Sequence, residues 1–185
     1  MLVLLLGLVF LAFELGLRFT RRSDAAASTS ADRGSLAVLW ITIGVALALA
    51  GIVPSLVPQA NFRLGGWGAC LVVLVFLLGL ALRVRAIALL GRFFTVDVAI
   101  RRDHRLMTRG PYAWVRHPSY TGLLVMFAAL GTLFENGASI LVLLVLVTLA
   151  LGRRIVVEEQ ALREAFGGEW VAYAARTRRL IPYVY

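Results

Sequence analysis

Tyr120-Thr-Gly-Leu-Leu-Val-Met-Phe-Ala-Ala-Leu-Gly-Thr-Leu-Phe134 is followed by Glu135-Asn-Gly-Ala138 and then by Ser139-Ile-Leu-Val-Leu-Leu-Val-Leu-Val-Thr-Leu-Ala-Leu151. Two apolar runs flank a four-residue turn signal, so the stretch reads as a tight helical hairpin. The second run can continue to Val157. A membrane span needs ~20 mainly apolar residues, and three more candidates precede the hairpin. They are residues 1–17, with Glu14 as the one charge, then 36–53 and 67–82. The fold class is therefore an all-α integral membrane protein with about five transmembrane helices. Residues 1–90 form a three-helix membrane region with a flexible, Ser/Ala-rich loop at 20–35. Residues 91–185 form a second region, which carries the hairpin 120–157 and a polar C-terminal tail.

Composition supports the membrane reading. Of 185 residues, 61% are hydrophobic and the mean hydropathy is +0.87. A soluble domain is only about half apolar. One cysteine, Cys70, excludes a disulfide scaffold and reads as a small buried hydrophobe. The net charge is +9, and every basic residue is arginine. These arginines flank apolar spans, as topology requires, so no nucleic-acid partner is expected. Arg18, Arg21, Arg22 and Arg33 surround the first connection, and residues 83–116 contain eight arginines. The connection 54–66 has only Arg63, and the turn 135–138 has none. This alternation puts the N-terminus outside and the C-terminus in the cytoplasm. Arginines follow the first apolar run rather than precede it, so that run reads as a retained helix and not a cleaved signal.

The unusual polar residues collect in 91–119 and 153–185, which the topology brings to one side of the membrane. Phe94, Val96, Val98 and Ile100 alternate with Thr95, Asp97 and Ala99, a strand pattern that 101–104 can turn and 105–108 return. His117 precedes Pro118, which suits an extended residue followed by the first residue of a helix. Free N–H groups at such a helix start favour an anion. Tyr112, Trp114 and Tyr120 can sandwich a purine, or sit as an aromatic belt at the membrane interface. Arg154 and Glu158 are four apart and share a helix face, either as an ordinary surface ion pair or as charges with a function at the membrane boundary. The helix carrying them is expected to stop near Gly167-Gly168, with a short helix over 169–176. His104 and His117 are the only histidines, and no cysteine or carboxylate pair stands at metal spacing, so no metal site is expected.

The ordered set Arg-His-Pro-Ser-Tyr-Thr-Gly (116–122), Glu158-Glu159, Phe166-Gly167, Tyr173 and Ile181-Pro182 resembles the isoprenylcysteine carboxyl methyltransferase family. The resemblance covers about 90–183, and the wider group includes phospholipid N-methyltransferases. It implies an S-adenosylmethionine-dependent membrane methyltransferase acting on a lipophilic acceptor that enters from the bilayer. The acceptor it implies is a carboxylate, such as that of a prenylcysteine-like acid. In that reading His104, Arg105, Leu106 and Met107 form a strand lining the cofactor. Tyr112, Arg116, His117, Pro118, Ser119 and Tyr120 form its main binding loop, and Glu158 and Glu159 hold it from the opposite side. Glu158 would take the cofactor ammonium and Arg154 the acceptor carboxylate, the two being the catalytic pair. Arg176 is a second acceptor contact, while Asp97 has no clear assignment. The residues leave three other readings open. These are an amine acceptor with Glu159 as base, an NADPH-dependent reductase of sterol-reductase type, and a non-enzymatic membrane scaffold.

Overall fold

The computed structural model describes residues 1–20, 28–30, 34–101 and 103–182. Six helices account for most of them: α1 (Leu2–Thr20), α2 (Ser35–Leu56), α3 (Gly66–Leu90), α4 (Pro118–Thr132), α5 (Gly137–Phe166) and α6 (Gly168–Arg176). Among the described residues, α1, α2, α3 and α5 are long and apolar enough to cross a membrane. α4 has 15 residues, about 22 Å of helix, which is short of a ~30 Å hydrocarbon core. α3 lies along α4, α2 lies along α5, and α4 packs on α5. One apolar cluster joins both halves of the chain, running from Leu6 and Phe10 through Phe76, Met126 and Phe127 to Leu143 and Leu151.

The hairpin is built as its sequence suggests. Asn136 caps α5 by accepting from the Ser139 amide at 3.0 Å. Its amide nitrogen donates to Val57 O and Asn61 Oδ1, and Phe62 N donates to Glu135 O. The α2–α3 connection and the hairpin turn therefore share one end of the bundle. α3 and α4 cross at backbone contact: a Cβ on Gly122 would lie 2.6 Å from Gly79 O, and one on Gly79 would lie 2.8 Å from Gly122 O. Small residues at such a crossing let helix backbones meet.

Three local expectations are corrected. α3 runs on to Leu90, so Arg83 and Arg85 belong to a helix rather than to a connection. The strand expected over 94–100 shrinks to β2 (Ala99–Arg101), which pairs antiparallel with β1 (Ser28–Ser30). Part of the loop expected to be flexible is therefore paired, and 104–108 has no strand structure. The reason lies in the cavity described below: Phe94, Thr95, Asp97, Val98 and Ile100 all line it, so the segment wraps around a space instead of presenting alternate faces. Arg21, Arg22, Arg33 and Arg102, which enter the orientation argument, and Tyr183 lie outside the described residues.

Candidate active site

The start of α4 is the hub. His117 is its N-cap residue, and its carbonyl accepts from Tyr120 N and Thr121 N. The C-terminal tail runs alongside. Arg116 N donates to Arg178 O at 2.6 Å, His117 N to Arg179 O at 3.0 Å, and Thr121 Oγ1 to Leu180 O at 2.7 Å. The tail thus takes the main-chain donors just before α4.

Glu159 secures this arrangement. Its carboxylate accepts from Arg116 Nε at 2.8 Å and Arg179 NH2 at 3.0 Å, and lies 3.3 Å from His117 Nε2. Arg116 also donates to Ala174 O and Thr177 O. Such charge-assisted bonds hold a carboxylate in one place. Glu159 lies outside the cavity lining and ties the C-terminal tail to the start of α4.

Glu158, one residue earlier, faces a different set. Its Oε2 accepts from the Tyr120 phenol at 2.8 Å and lies 3.6 Å from His117 Nδ1. The Tyr120 oxygen in turn accepts from Arg154 Nε at 2.9 Å. The expected Arg154–Glu158 helix-face pairing therefore runs through a phenol from α4. Arg154 is 3% exposed; its guanidinium also donates to Ser35 Oγ at 3.1 Å and to Val96 O. The His117 and Tyr120 rings stack at 5.5 Å with 14° between their planes.

These groups open onto a cleft of about 100 Å³ that continues into solvent. His104, Leu106, Met107, Tyr112, Arg116, His117, Ser119, Tyr120, Arg154 and Glu158 line it, as does Asp97. Arg105 and Arg176 do not; both are exposed, and Arg176 bonds back to Ala172 O in its own helix. Pro118 is buried as the first residue of α4 and lies outside the lining. Tyr112 is buried, with its hydroxyl donating to Ala86 O, and only Trp114 of the expected aromatic belt is exposed. Burial pushes the Tyr112 phenol well above its ordinary range, with the Glu158 charge adding to the effect.

Sequence reasoning missed Phe93, Phe94 and Trp170 in the lining. The signal for Trp170 was its position in α6, whose buried residues are Trp170 and Tyr173. A smaller cavity of about 40 Å³ adjoins the first. Phe10, Leu36, Leu39, Trp40, Ile43 and Leu123 supply its apolar walls, and Glu14, Arg83 and Arg154 its charges. Phe94, Thr95, Tyr120 and Arg154 line both cavities.

Known proteins resemble this chain in sequence and in fold. The sequence profile of the isoprenylcysteine carboxyl methyltransferase (ICMT) family matches residues 71–164. The chain is 33% identical over 166 residues to protein-S-isoprenylcysteine O-methyltransferase B of Arabidopsis thaliana, covering 86% of this chain and 84% of that protein. It is 38% identical over 111 residues to the protein-S-isoprenylcysteine O-methyltransferase of Schizosaccharomyces pombe, covering 58% of this chain and 46% of that protein. The solved structure of a eukaryotic intramembrane Ras methyltransferase, ICMT, superposes with a TM-score of 0.64 at 26% identity, over 78% of this chain and 52% of that one. The chain thus spans most of the Arabidopsis protein and about half of the other two. With the profile covering half of its length and the Arabidopsis relative nearly all of it, the chain belongs to the isoprenylcysteine carboxyl methyltransferase family.

Proposed function

We propose that this chain, an integral membrane methyltransferase by family, moves a methyl group from S-adenosylmethionine to the carboxylate of a lipophilic, prenylcysteine-like acid. One observation carries the reading: Arg154 and Tyr120 line both a cleft that holds Glu158, His117 and several aromatic rings and a second cavity walled by Phe10, Leu39, Trp40 and Ile43 of α1 and α2. A reaction between a water-soluble donor and a lipid acceptor needs such a seam.

The larger cleft has the chemistry the donor requires. Its lining combines the Glu158 carboxylate with Phe93, Tyr112, Trp170 and Tyr173, an acid for an ammonium and flat faces for a purine. S-adenosylmethionine, when bound, supplies a methyl group on a sulfonium, which a nucleophile displaces. Glu158 holds the ammonium, fixed in place by Tyr120. Arg154 holds the acceptor carboxylate at the seam, and its bonds to α2, α4 and the 94–98 segment keep it rigid. A carboxylate is already ionised at pH 7, so no general base is needed and positioning is the main contribution. Positioning alone can be worth ~7–11 kcal/mol in favourable cases. The acceptor's tail occupies the apolar cavity, reached from the bilayer. The arginine-rich connections near the cleft favour a cytoplasmic site, with the N-terminus on the other side.

The test is calorimetry with S-adenosylhomocysteine on the detergent-purified protein, followed by methylation assays on a farnesylated thioether acid and its amine analogue. Binding, and turnover of the acid alone, support the proposal. A folded protein that does not bind, or that methylates only the amine, overturns it.

A further inference from the structure

Glu14 and Arg83 sit opposite each other in α1 and α3. Arg83 Nε donates to Glu14 Oε1 at 2.6 Å and NH2 to Oε2 at 2.8 Å, and both side chains are 7% exposed. The remaining arm of the guanidinium reaches α4: NH1 donates to Ser119 Oγ at 2.7 Å and to Ser119 O at 3.2 Å. Charges buried in membrane helices are costly and are kept for a purpose. The α3–α4 contact does not require Arg83, because those two helices already meet at backbone contact through Gly79 and Gly122. Nor is a buried ion pair an efficient source of stability, since apolar residues of similar volume commonly do as well or better. α1 also lies outside the residues matched by the family profile.

What the pair touches is informative. Ser119 lies between Pro118 and Tyr120 and lines the larger cleft. On either side of it stand His117 and Tyr120, whose stacked rings face Glu158 and Glu159. Arg83 fixes both the main chain and the hydroxyl of the residue between them. Glu14 in turn fixes Arg83, with two parallel bonds that allow one orientation.

We propose that Glu14 and Arg83 are positioning residues for methyl transfer: α1, through Arg83, sets the first turn of α4, so that His117 and Tyr120 meet Glu158 in the binding geometry. This role rests on the proposed function. Glu14 is not part of the cleft wall, and its hydrogen-bonded path to that wall runs through Arg83 and Ser119.

The double substitution Glu14→Met with Arg83→Met tests it, because it removes both charges together and leaves an apolar contact. The expected result is wild-type thermal stability in detergent, at least tenfold weaker S-adenosylhomocysteine binding by calorimetry, and a lower kcat. A stable double variant with wild-type affinity and kcat shows a purely structural pair and overturns the proposal. Should that variant not fold, Arg83→Lys carries the test, since it keeps the charge near Glu14 but cannot span Glu14 and Ser119 together. Weakened binding in a folded Arg83→Lys protein supports the proposal, and wild-type binding overturns it. Absence of binding by the folded wild type is a separate result: it overturns the functional reading itself, and the positioning role with it.

Discussion

The phenol of Tyr120 donates to the Glu158 carboxylate across 2.8 Å while its oxygen accepts from Arg154 at 2.9 Å. A residue of α4 thereby couples two charged side chains that stand one turn apart on α5. Hydrogen bonds to charged groups contribute ~1.5–3 kcal/mol, and ~1.4 kcal/mol is a factor of ten. Tyr120→Phe is therefore expected to lower the thermal midpoint by several degrees and, by releasing Glu158 and Arg154 from each other, to lower kcat as well. Methyl-transfer kinetics and a melting curve on the same preparation check this. Unchanged turnover would detach Tyr120 from the chemistry.

Glu158 and Glu159 are adjacent in sequence but do different work. Glu158 opens onto the cleft, whereas Glu159 gathers Arg116, Arg179 and His117 around the C-terminal tail. Glu158→Gln is expected to lose S-adenosylhomocysteine affinity with little change in stability. Glu159→Gln is expected to lose stability first, because Arg116 and Arg179 are left without their counter-charge. Calorimetry and thermal unfolding on both variants decide, and the reverse ordering would exchange the two roles.

How far the sequence carried this site depends on how far apart its parts lie. The hairpin, the first residue of α4 and the clustering of 104–120 with 154–158 were legible, because each follows from local apolar runs and turn chemistry. The partners of the charges were not. Glu14 read as a lone charge in an apolar helix, and Arg83 read as the arginine that ends one, since an arginine after an apolar run commonly marks the membrane boundary. Only the fold brings these two together from 69 positions apart. The tail behaves likewise: nothing local to Arg178, Arg179 and Leu180 shows that their carbonyls lie alongside the start of α4. The strand over 94–100 failed for the opposite reason, because a strong local pattern lost to the cleft that the segment encloses.

Two buried phenols make the region of the cleft sensitive to alkali. Burial pushes Tyr173 up to about 12, with the charge of Arg116 and the hydroxyl of Thr177 pulling it back, and its hydroxyl donates to Tyr112 O at 2.8 Å. In the unfolded chain a phenol titrates near ~10. The folded state therefore holds its proton where the unfolded state has lost it, so stability is complete below pH ~10 and declines as pH rises toward 12. Thermal midpoints in detergent between pH 8 and 12 are expected to fall in that window. Tyr173→Phe is expected to start lower, having lost a hydrogen bond, and to decline less steeply. An equal slope in both proteins would assign the alkaline loss to other groups.

Gly122 ends the Ser119-Tyr-Thr-Gly run, and its role is spatial. An added Cβ would lie 2.6 Å from Gly79 O and 2.9 Å from Arg83 N, both main-chain atoms that no rotamer change can move. α3 would have to shift away from α4, carrying Arg83 from Ser119 and loosening the wall of the cleft. Overpacking of this kind costs ~1–3 kcal/mol, so Gly122→Ala is expected to lower the thermal midpoint and weaken S-adenosylhomocysteine binding together. Gly44 in α2 provides the control, because an added Cβ there meets nothing within 4 Å, and alanine is the better helix former by ~1 kcal/mol. Gly44→Ala should be neutral or stabilising, with binding unchanged. A Gly122→Ala protein as stable as Gly44→Ala would mean that the two helices do not meet at this crossing.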